Sequence, residues 1–169
     1  MSERSPAPGG LELVESLVNT LDIESGADSL DTAEGRARFG LAEEDVPGAR
    51  ELRESLRVAL LAHAGHPPHR AVTPLGQLLA ASPLVVVVDA ADGSATLAPA
   101  EAAPLPSRIA AAIAQALVEG TWTRLKACEA VDCHWAYYDR SPAGRGRWCS
   151  MQVCGARAKM RRYRAKDAG

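Results

Sequence analysis

The chain has 169 residues, 47% of them hydrophobic, which is enough for one moderate core and one small metal-stabilised module. Its longest compact apolar run, Leu84–Val88, is far shorter than the roughly 18 residues of a membrane-spanning helix. The net charge of −2 is unevenly distributed, because residues 1–120 hold 8 Lys and Arg against 17 Asp and Glu, whereas residues 121–169 hold 11 against 4. We therefore expect a soluble cytoplasmic protein with an acidic body and a basic, partner-binding end.

The N-terminal region begins with residues 1–9, whose Ser, Pro, Ala and Gly predict a disordered tail without the apolar core of a secretory signal. Apolar residues at helical spacing between residues 11 and 21 then predict an amphipathic helix. Asn19 stands out in this stretch. It is either part of a ligand pocket or a polar group that hydrogen-bonds a helix end to a loop.

Further helices are predicted at residues 33–39, 47–64 and 73–80 from the same periodicity. The charged residues of the longest helix are interpreted as its solvated face: Glu51, Arg53, Glu54 and Arg57. Three histidines lie at and just after the end of that helix, but Pro67 and Pro68 prevent a helix from aligning them as metal ligands. We expect an ordinary surface loop to carry them: His63, His66 and His69.

A β-hairpin is predicted from residues 84–88 and 95–97, which a loop containing Asp92 and Gly93 connects. Two strands alone are marginally stable, so we expect them to pack on the helices. One more helix is predicted between Pro106 and Gly120. The body is therefore α+β and mostly helical. Its acidic residues do not combine with a histidine or a nucleophile as catalysis requires, so we do not expect an enzyme.

The four cysteines of the chain lie in its last third: Cys128, Cys133, Cys149 and Cys154. They form two C-x4-C pairs separated by fifteen residues. Two short-spaced pairs on turns that a loop brings together suit one tetrahedral Zn²⁺ ion. Two disulfides or four inert thiols are the alternatives, and disulfides would need an oxidising compartment. The sequence therefore predicts one structural zinc ion.

Residues 135–138 predict a strand that leaves the metal site, and a flexible basic loop leads to a returning strand at Trp148 and Cys149. The aromatic residues beside the cysteines are either base-stacking platforms or the small core beneath the zinc, and we favour the core. A helix follows, with a predicted inward stripe of Val153, Ala156, Met160 and Tyr163.

Basic residues cover both flanks of this last helix, and no acidic residue lies between Cys154 and Lys166. Such a helix could enter the major groove of double-stranded DNA or lie along its phosphates, and the basic loop could add phosphate contacts. The alternative is a solvated helix without a role in nucleic-acid binding. The predicted DNA contacts are Arg145, Arg147, Arg157, Lys159, Arg161, Arg162, Arg164 and Lys166.

The cysteine region closely resembles the CGNR zinc finger of bacterial proteins, through the runs at residues 133–141, 147–151 and 154–159. Ala156 stands where that family has Asn. The run LVNTLD at residues 17–22 resembles the opening of the ABATE domain. The resemblance implies a stress-induced transcription regulator with an ABATE-like α+β domain at residues 10–120. A treble-clef-like or ribbon-like zinc finger that ends in a basic helix would follow at residues 121–169.

The predicted function is DNA-binding regulation, in which the N-terminal domain senses a small ligand or forms a homodimer. The alternative is a protein-interaction adaptor whose basic finger docks on an acidic protein surface and binds no nucleic acid. RNA binding is a third hypothesis, because aromatic residues can stack on unpaired bases. If the family's Asn only caps the helix, its replacement by Ala156 costs about 1 kcal/mol, and if it contacts a base this chain lacks that contact.

Overall fold

A computed structural model describes residues 5–101 and 103–167 of the chain. Its N-terminal body is mostly helical, and its helices lie close to their predicted positions. Helix α1 is shorter than predicted because Leu21 pairs with Asp28 in an isolated β-bridge. The helices of the body are α1 (Leu11–Val18), α2 (Ala33–Ala37), α3 (Val46–His63), α4 (Leu75–Leu79) and α5 (Leu105–Val118).

The core of the body lies between α1, α3 and α5, and α1 contacts both of the other two helices. Helix α1 is amphipathic enough to bury all of Leu11, Val14, Leu17 and Val18. Pro47 lies in the first turn of α3, where its missing N–H group leaves no helical hydrogen bond unmade. The remaining large core side chains include Leu52, Leu56 and Leu60 of α3 and Ile109 of α5.

The predicted solvated face of α3 is wrong for three of its four residues. Arg53, Glu54 and Arg57 are only 4%, 3% and 1% exposed, whereas Glu51 is exposed. The end of α1 and the segment that follows it fold over this face and supply partners. Arg53 Nη1 donates to Asp28 Oδ2 at 2.8 Å, and Arg57 Nη2 donates to the Val18 carbonyl at 2.7 Å. Burial is tolerated because each charge has a partner of opposite charge or a hydrogen-bond acceptor.

Glu54 is the centre of this buried cluster. Its carboxylate accepts hydrogen bonds from Arg53 Nε at 2.9 Å and from Arg57 Nη1 at 2.6 Å, and His69 Nε2 lies 3.1 Å away. Burial by itself would raise the pKa of Glu54. The hydrogen bonds and positive charges of Arg57 and then Arg53 outweigh burial and lower this pKa to about 2. Glu54 is therefore ionised in the folded chain.

Replacement of this carboxylate tests the cluster. We expect Glu54→Gln to lower the free energy of unfolding at neutral pH by about 3 kcal/mol, because the buried guanidinium group of Arg57 loses its anionic partner, while that of Arg53 retains Asp28. The wild-type contribution is present above pH 4.5 and disappears as the pH falls towards about 2, since the folded pKa is depressed. Urea denaturation between neutral pH and pH 3 measures both effects. The exposed Glu44→Gln control should change stability by less than about 0.5 kcal/mol, and an equal loss in both variants would contradict the assignment.

The segment before α1 is packed, so the predicted disordered tail is wrong for residues 5–9, while residues 1–4 lie outside the described part. Ala7 is buried, and its N–H donates to Glu15 Oε2 at 2.7 Å. The carbonyls of Ser5 and Pro6 accept hydrogen bonds from Arg140 at 3.0 and 2.7 Å. The guanidinium group of Arg140 comes from a segment more than 130 residues away, so no local pattern could indicate this contact.

The predicted hairpin is present, with β1 (Leu84–Val88) antiparallel to β2 (Ala95–Pro99) and Val86 opposite Leu97. The expected packing is only half correct, because α5 lies chiefly against β2. Strand β1 has little cover, and its four valines are between 45% and 66% exposed. The hairpin is therefore attached to the body through β2 and presents β1 to solvent.

A second small hairpin connects the body to the cysteine region. Strand β3 (Leu125–Ala127) pairs antiparallel with β4 (Ala136–Tyr138), and β3 contacts α3. Leu125, Ala127 and Ala136 belong to the same core as the helices of the body. The sequence did not predict β3, and the strand expected at Trp148 and Cys149 is not formed, because β4 pairs with the segment before the first cysteine. Helix α6 (Ala156–Asp167) ends the described chain.

The fold as a whole is α+β, with a mainly helical body, two small antiparallel hairpins and a terminal cysteine cluster followed by a helix. Within residues 5–101 and 103–167, the helices are all too short or too polar to span a membrane.

Candidate metal centre

The first cysteine pair lies on the turn between β3 and β4. The Cys128 N–H donates to the Trp135 carbonyl at 2.9 Å, and the Cys133 N–H donates to the Ala130 carbonyl at 2.9 Å. His134 closes the turn with a φ of 47°, and its Nδ1 lies 3.0 Å from the Cys128 carbonyl. These contacts fix the turn so that both thiols point to one side. The His134 imidazole thus contacts the backbone of the turn through its Nδ1 atom.

The second cysteine pair lies at the start of the last helix. Ser150 begins a π-helical turn, Met151–Gly155, by accepting the Val153 N–H on its Oγ at 3.3 Å. A Cβ at Gly155 would lie 3.1 Å from Met151 Sδ and 3.3 Å from Trp148 Cδ1, so these two side chains would have to shift to admit a larger residue. The turn places Cys149 before this helical segment and Cys154 within it, so that both thiols face the first pair.

The four sulfur atoms converge, and all lie within 4.8 Å of one another. Cys133 Sγ and Cys154 Sγ are each 3.6 Å from Cys149 Sγ. Zn–S bonds of 2.3 Å at tetrahedral angles require a sulfur–sulfur separation of about 3.8 Å, whereas a disulfide bond is about 2.05 Å long. None of the four is in a disulfide, and all but Cys133 are buried. The predicted zinc site is confirmed, and the disulfide alternative is wrong.

The ionisation of the thiols shows why this cluster needs a cation. Hydrogen bonds from Cys133 and then Cys149 lower the pKa of Cys128 to about 2. Donation to Cys128 raises the pKa of Cys133 and raises that of Cys149 to about 12, and burial raises that of Cys154. Four thiols packed this closely cannot all ionise by themselves, because each thiolate raises the pKa of its neighbours. Bound Zn²⁺ supplies the positive charge that lets the remaining thiols ionise.

Removal of one ligand tests the assignment. We expect Cys149→Ser to weaken zinc binding by more than about 100-fold and to unfold the cysteine region, because that region buries little else. Elemental analysis should find about one zinc per wild-type chain and far less in the variant. Val131→Ser is the control, since Val131 is 80% exposed between the first two cysteines. A full zinc content in the Cys149 variant would contradict the four-ligand site.

Comparison with protein families agrees with this geometry. Residues 11–120 match the model of the ABATE family, described as "Putative stress-induced transcription regulator". The chain belongs to the ABATE family. Residues 124–167 match the CGNR zinc finger. No curated protein matches the chain at a significant level. Both family descriptions name a regulator or a zinc finger, and neither names a catalytic activity.

The aromatic residues of the CGNR finger form a small core around the thiols, as we favoured from the sequence. Tyr137 is buried with Cys128, Cys149 and Cys154, and Trp135 and Trp148 pack against them. Tyr138 instead packs against the core of the ABATE domain. Ala156, where the family has Asn, is exposed at the first position of α6. The substitution therefore lies at the protein surface, at the start of α6.

The loop of the finger that was predicted to be flexible is organised by Asp139, which is 3% exposed. Its carboxylate accepts hydrogen bonds from Ser141 Oγ at 2.7 Å, Lys126 Nζ at 2.9 Å and the Gly146 N–H at 2.7 Å. Burial would raise the pKa of Asp139, but the hydrogen bonds from Ser141 and then Lys126 hold it well below its ordinary value. Arg124 also donates to the Asp139 carbonyl. The loop therefore has a defined shape.

All eight residues predicted to contact DNA are exposed. Arg147 Nε donates to Glu129 Oε2 at 2.6 Å, Arg157 Nη1 lies 3.1 Å from Glu24, and Arg161 Nη1 lies 3.9 Å from Asp132. The Arg157 contact joins the finger to the ABATE domain. In the described part of the chain, the other five have no acidic partner: Arg145, Lys159, Arg162, Arg164 and Lys166.

The predicted inward stripe of α6 is wrong. Val153, Met160 and Tyr163 are 48%, 53% and 63% exposed, and Ala156 is exposed as well. After Gly155 the helix leaves the finger, and no described element of the ABATE domain covers this face. The periodicity is real, but in this chain the apolar stripe faces solvent.

Asn19 joins the ABATE domain to the CGNR finger. Its Nδ2 donates to the Ala136 carbonyl at 3.0 Å, and its Oδ1 accepts the Ala136 N–H at 2.7 Å. Both polar atoms of the amide thus form hydrogen bonds with the backbone of β4. Of the two interpretations of Asn19, the structure contains the hydrogen-bonded link and gives no support to the ligand pocket.

The three histidines also lie at the junction of the two domains, so the prediction of an ordinary surface loop is wrong. His63 Nδ1 lies 2.7 Å from the Leu125 carbonyl, and its ring meets Trp122 edge-on with centroids 4.8 Å apart. His66 lies 3.7 Å from Glu129 of the finger. His69 contacts Glu54 and the ring of His134. The finger covers the histidines, which the local sequence could not indicate.

Removal of the Asn19 amide should loosen the junction. We expect Asn19→Ala to lower the free energy of unfolding by roughly 1–3 kcal/mol, because the backbone groups of Ala136 lose their partners. Tryptophan fluorescence during denaturation reports on the finger, since Trp122, Trp135 and Trp148 all lie in or beside it. The control is Gln77→Ala, which removes an exposed amide from α4. Equal stability of the two variants would show that Asn19 does not hold the junction.

Proposed function

We propose that this ABATE-family chain is a DNA-binding transcription regulator in which the zinc-bound CGNR finger presents α6 to double-stranded DNA. The observation that carries the proposal is the position of α6. The helix begins one residue after Gly155, next to the last cysteine, and its basic side chains are exposed along its length. A metal-anchored helix of this kind is rigidly placed relative to the rest of the protein, as groove or phosphate recognition requires.

The electrostatics of the finger favour a polyanionic partner. Residues 121–169 carry 11 Lys and Arg against 4 Asp and Glu. Four thiolates and one Zn²⁺ together contribute −2, so the loaded finger remains strongly basic. Lys159, Arg162 and Arg164 have no acidic partner in the described structure, and are therefore available to phosphates. Contact with DNA would release the counterions condensed on its backbone, which stabilises the complex at low salt.

The paired cations have a different role in this proposal. Arg157 contacts Glu24 of the ABATE domain and Arg161 approaches Asp132 of the finger. These contacts orient the first turns of α6, and they reduce the positive charge that Arg157 and Arg161 offer to DNA. Lys159, Arg162 and Arg164, which have no acidic partner in the described structure, would supply most of the phosphate contacts. Arg145, on the ordered loop, would extend the basic surface.

The ABATE domain would regulate this activity as a small-ligand sensor or by homodimerisation. A cavity of about 290 Å³ lies where the domain meets the finger and borders the zinc site. Asp22 and Glu24 line one side, and the other side is lined by Trp135, Arg157 and three zinc ligands, Cys133, Cys149 and Cys154. A molecule bound there would contact both domains beside the Glu24–Arg157 pair. In this proposal the protein acts in the cytoplasm, at the nucleoid.

Fluorescence anisotropy with labelled duplex DNA at several salt concentrations tests DNA binding. We expect zinc-loaded protein to bind with an affinity that falls steeply as salt rises, and chelator-stripped protein to lose binding. The triple variant Lys159→Ala/Arg162→Ala/Arg164→Ala should bind at least about tenfold more weakly, with a salt slope reduced by roughly 2–3.

The control for this triple variant removes the same charge from the ABATE domain, through Arg38→Ala/Arg70→Ala/Arg108→Ala. It should retain affinity within about threefold. Equal losses in the two triple variants would remove α6 as the DNA-contacting element. Absence of binding by the zinc-loaded wild type at low salt would overturn the proposed function.

A second candidate function is a protein-interaction adaptor that binds no nucleic acid. The observation that favours it is the exposed apolar stripe of α6, Val153, Met160 and Tyr163, because phosphate contacts do not need such a stripe. Affinity capture from a nuclease-treated lysate separates the two functions. One stoichiometric acidic protein that survives nuclease treatment would favour the adaptor, whereas loss of all partners would favour DNA binding.

A further inference from the structure

Among residues 5–101 and 103–167, nothing pairs with one edge of strand β1. Its neighbour in the two-stranded sheet is β2, with Val86 opposite Leu97 and Val88 opposite Ala95. The Asp89 N–H donates to the Ser94 carbonyl, so the backbone groups of Asp89 point towards β2. Because these groups alternate along an antiparallel strand, those of Val85 and Val87 also point inward. The N–H and C=O groups of Leu84, Val86 and Val88 therefore point away from β2.

The two edges of the hairpin are not equivalent. Pro99 lies on the outer edge of β2 and has no N–H group to donate, and α5 packs against this strand. The open edge of β1 instead carries four consecutive valines, with Val86 and Val88 66% and 60% exposed. Proteins usually protect such edges with a lysine, a proline or a bulge, and residues 84–88 contain none of these. The open edge of β1 can thus form backbone hydrogen bonds with another strand.

We propose that β1 is a homodimerisation strand, which pairs antiparallel with β1 of a second copy about a two-fold axis at Val86. In this register Val86 pairs with its own counterpart, and Leu84 pairs with Val88 of the partner subunit. All outward N–H and C=O groups of the three residues find partners, which gives six intersubunit hydrogen bonds. The two hairpins would become one four-stranded sheet with a continuous valine surface.

Charge is compatible with a second copy as the occupant. The paired strands contain no ionisable side chain, and the nearest carboxylate on β1 is Asp89 just beyond its end. In the proposed register the two Asp89 residues lie at opposite ends of the paired region, about 20 Å apart at 3.4 Å per residue. That exceeds the screening length of about 8 Å at physiological salt, so the acidic ABATE domains can approach at this edge.

The area available sets the expected affinity. Two five-residue strands cover less than the roughly 800 Å² per partner of a standard interface. We therefore expect a reversible dimer that forms in the micromolar range. The proposal rests on the dimerisation part of the proposed function, and it does not depend on DNA binding.

Sedimentation velocity of the zinc-loaded full chain without DNA tests this dimer across the micromolar range. Val86→Pro removes an outward N–H and none of the N–H groups that bond β1 to β2. We expect this substitution to weaken the dimer at least about tenfold. Val86→Thr keeps the backbone groups and the β-branched shape, and should change the dimer constant by less than about threefold.

A wild type that sediments as a monomer throughout, or a Val86→Pro variant that dimerises like wild type, would overturn the proposal. A cross-linking measurement covers the case in which Val86→Pro fails to fold. Val86→Cys should be linked into dimers by a short bismaleimide, whereas Val118→Cys, at a valine 75% exposed on α5, should not. Equal cross-linking of the two variants would also overturn it. Because DNA is absent, these outcomes are separate from a failure of DNA binding.

Discussion

Four buried or half-buried thiols that meet within 4.8 Å are the constraint on which the rest of the finger depends. Their like charges cannot coexist without a cation. The cation in turn joins two separate segments of the chain. One piece is the turn between β3 and β4, and the other is the π-helical turn that starts α6. The zinc therefore fixes the direction in which the basic helix leaves the protein.

The finger is also part of the body, although the family boundaries separate them. Leu125, Ala127 and Ala136 share the core of the ABATE domain, and Asn19 occupies both backbone groups of Ala136. The histidines after α3 and the Glu24–Arg157 pair extend this contact. These contacts connect the ABATE domain to the finger that carries α6, and the regulation in the proposed function would depend on them.

Buried charge gives the molecule its specific shape at two separate places. Glu54 holds two arginines under the segment that follows α1, and Asp139 holds Lys126 and the backbone of the basic loop. In both places the carboxylate accepts several hydrogen bonds, so its charge is stabilised inside the protein. These clusters determine where loops lie, whereas the apolar core determines that the helices pack.

The sequence by itself determined the zinc ligands, the helical body and the β1–β2 hairpin, because cysteine spacing, apolar periodicity and the Asp92–Gly93 turn are local signals. Only the tertiary structure decided which faces are covered. Arg53 is buried because Asp28, 25 residues away, meets it, and the stripe of α6 is exposed because nothing described packs on it. Periodicity shows that a helix has an apolar or a charged face, but the partner of that face comes from a distant part of the chain. The Asn19 link follows the same rule, since its partner Ala136 is 117 residues away.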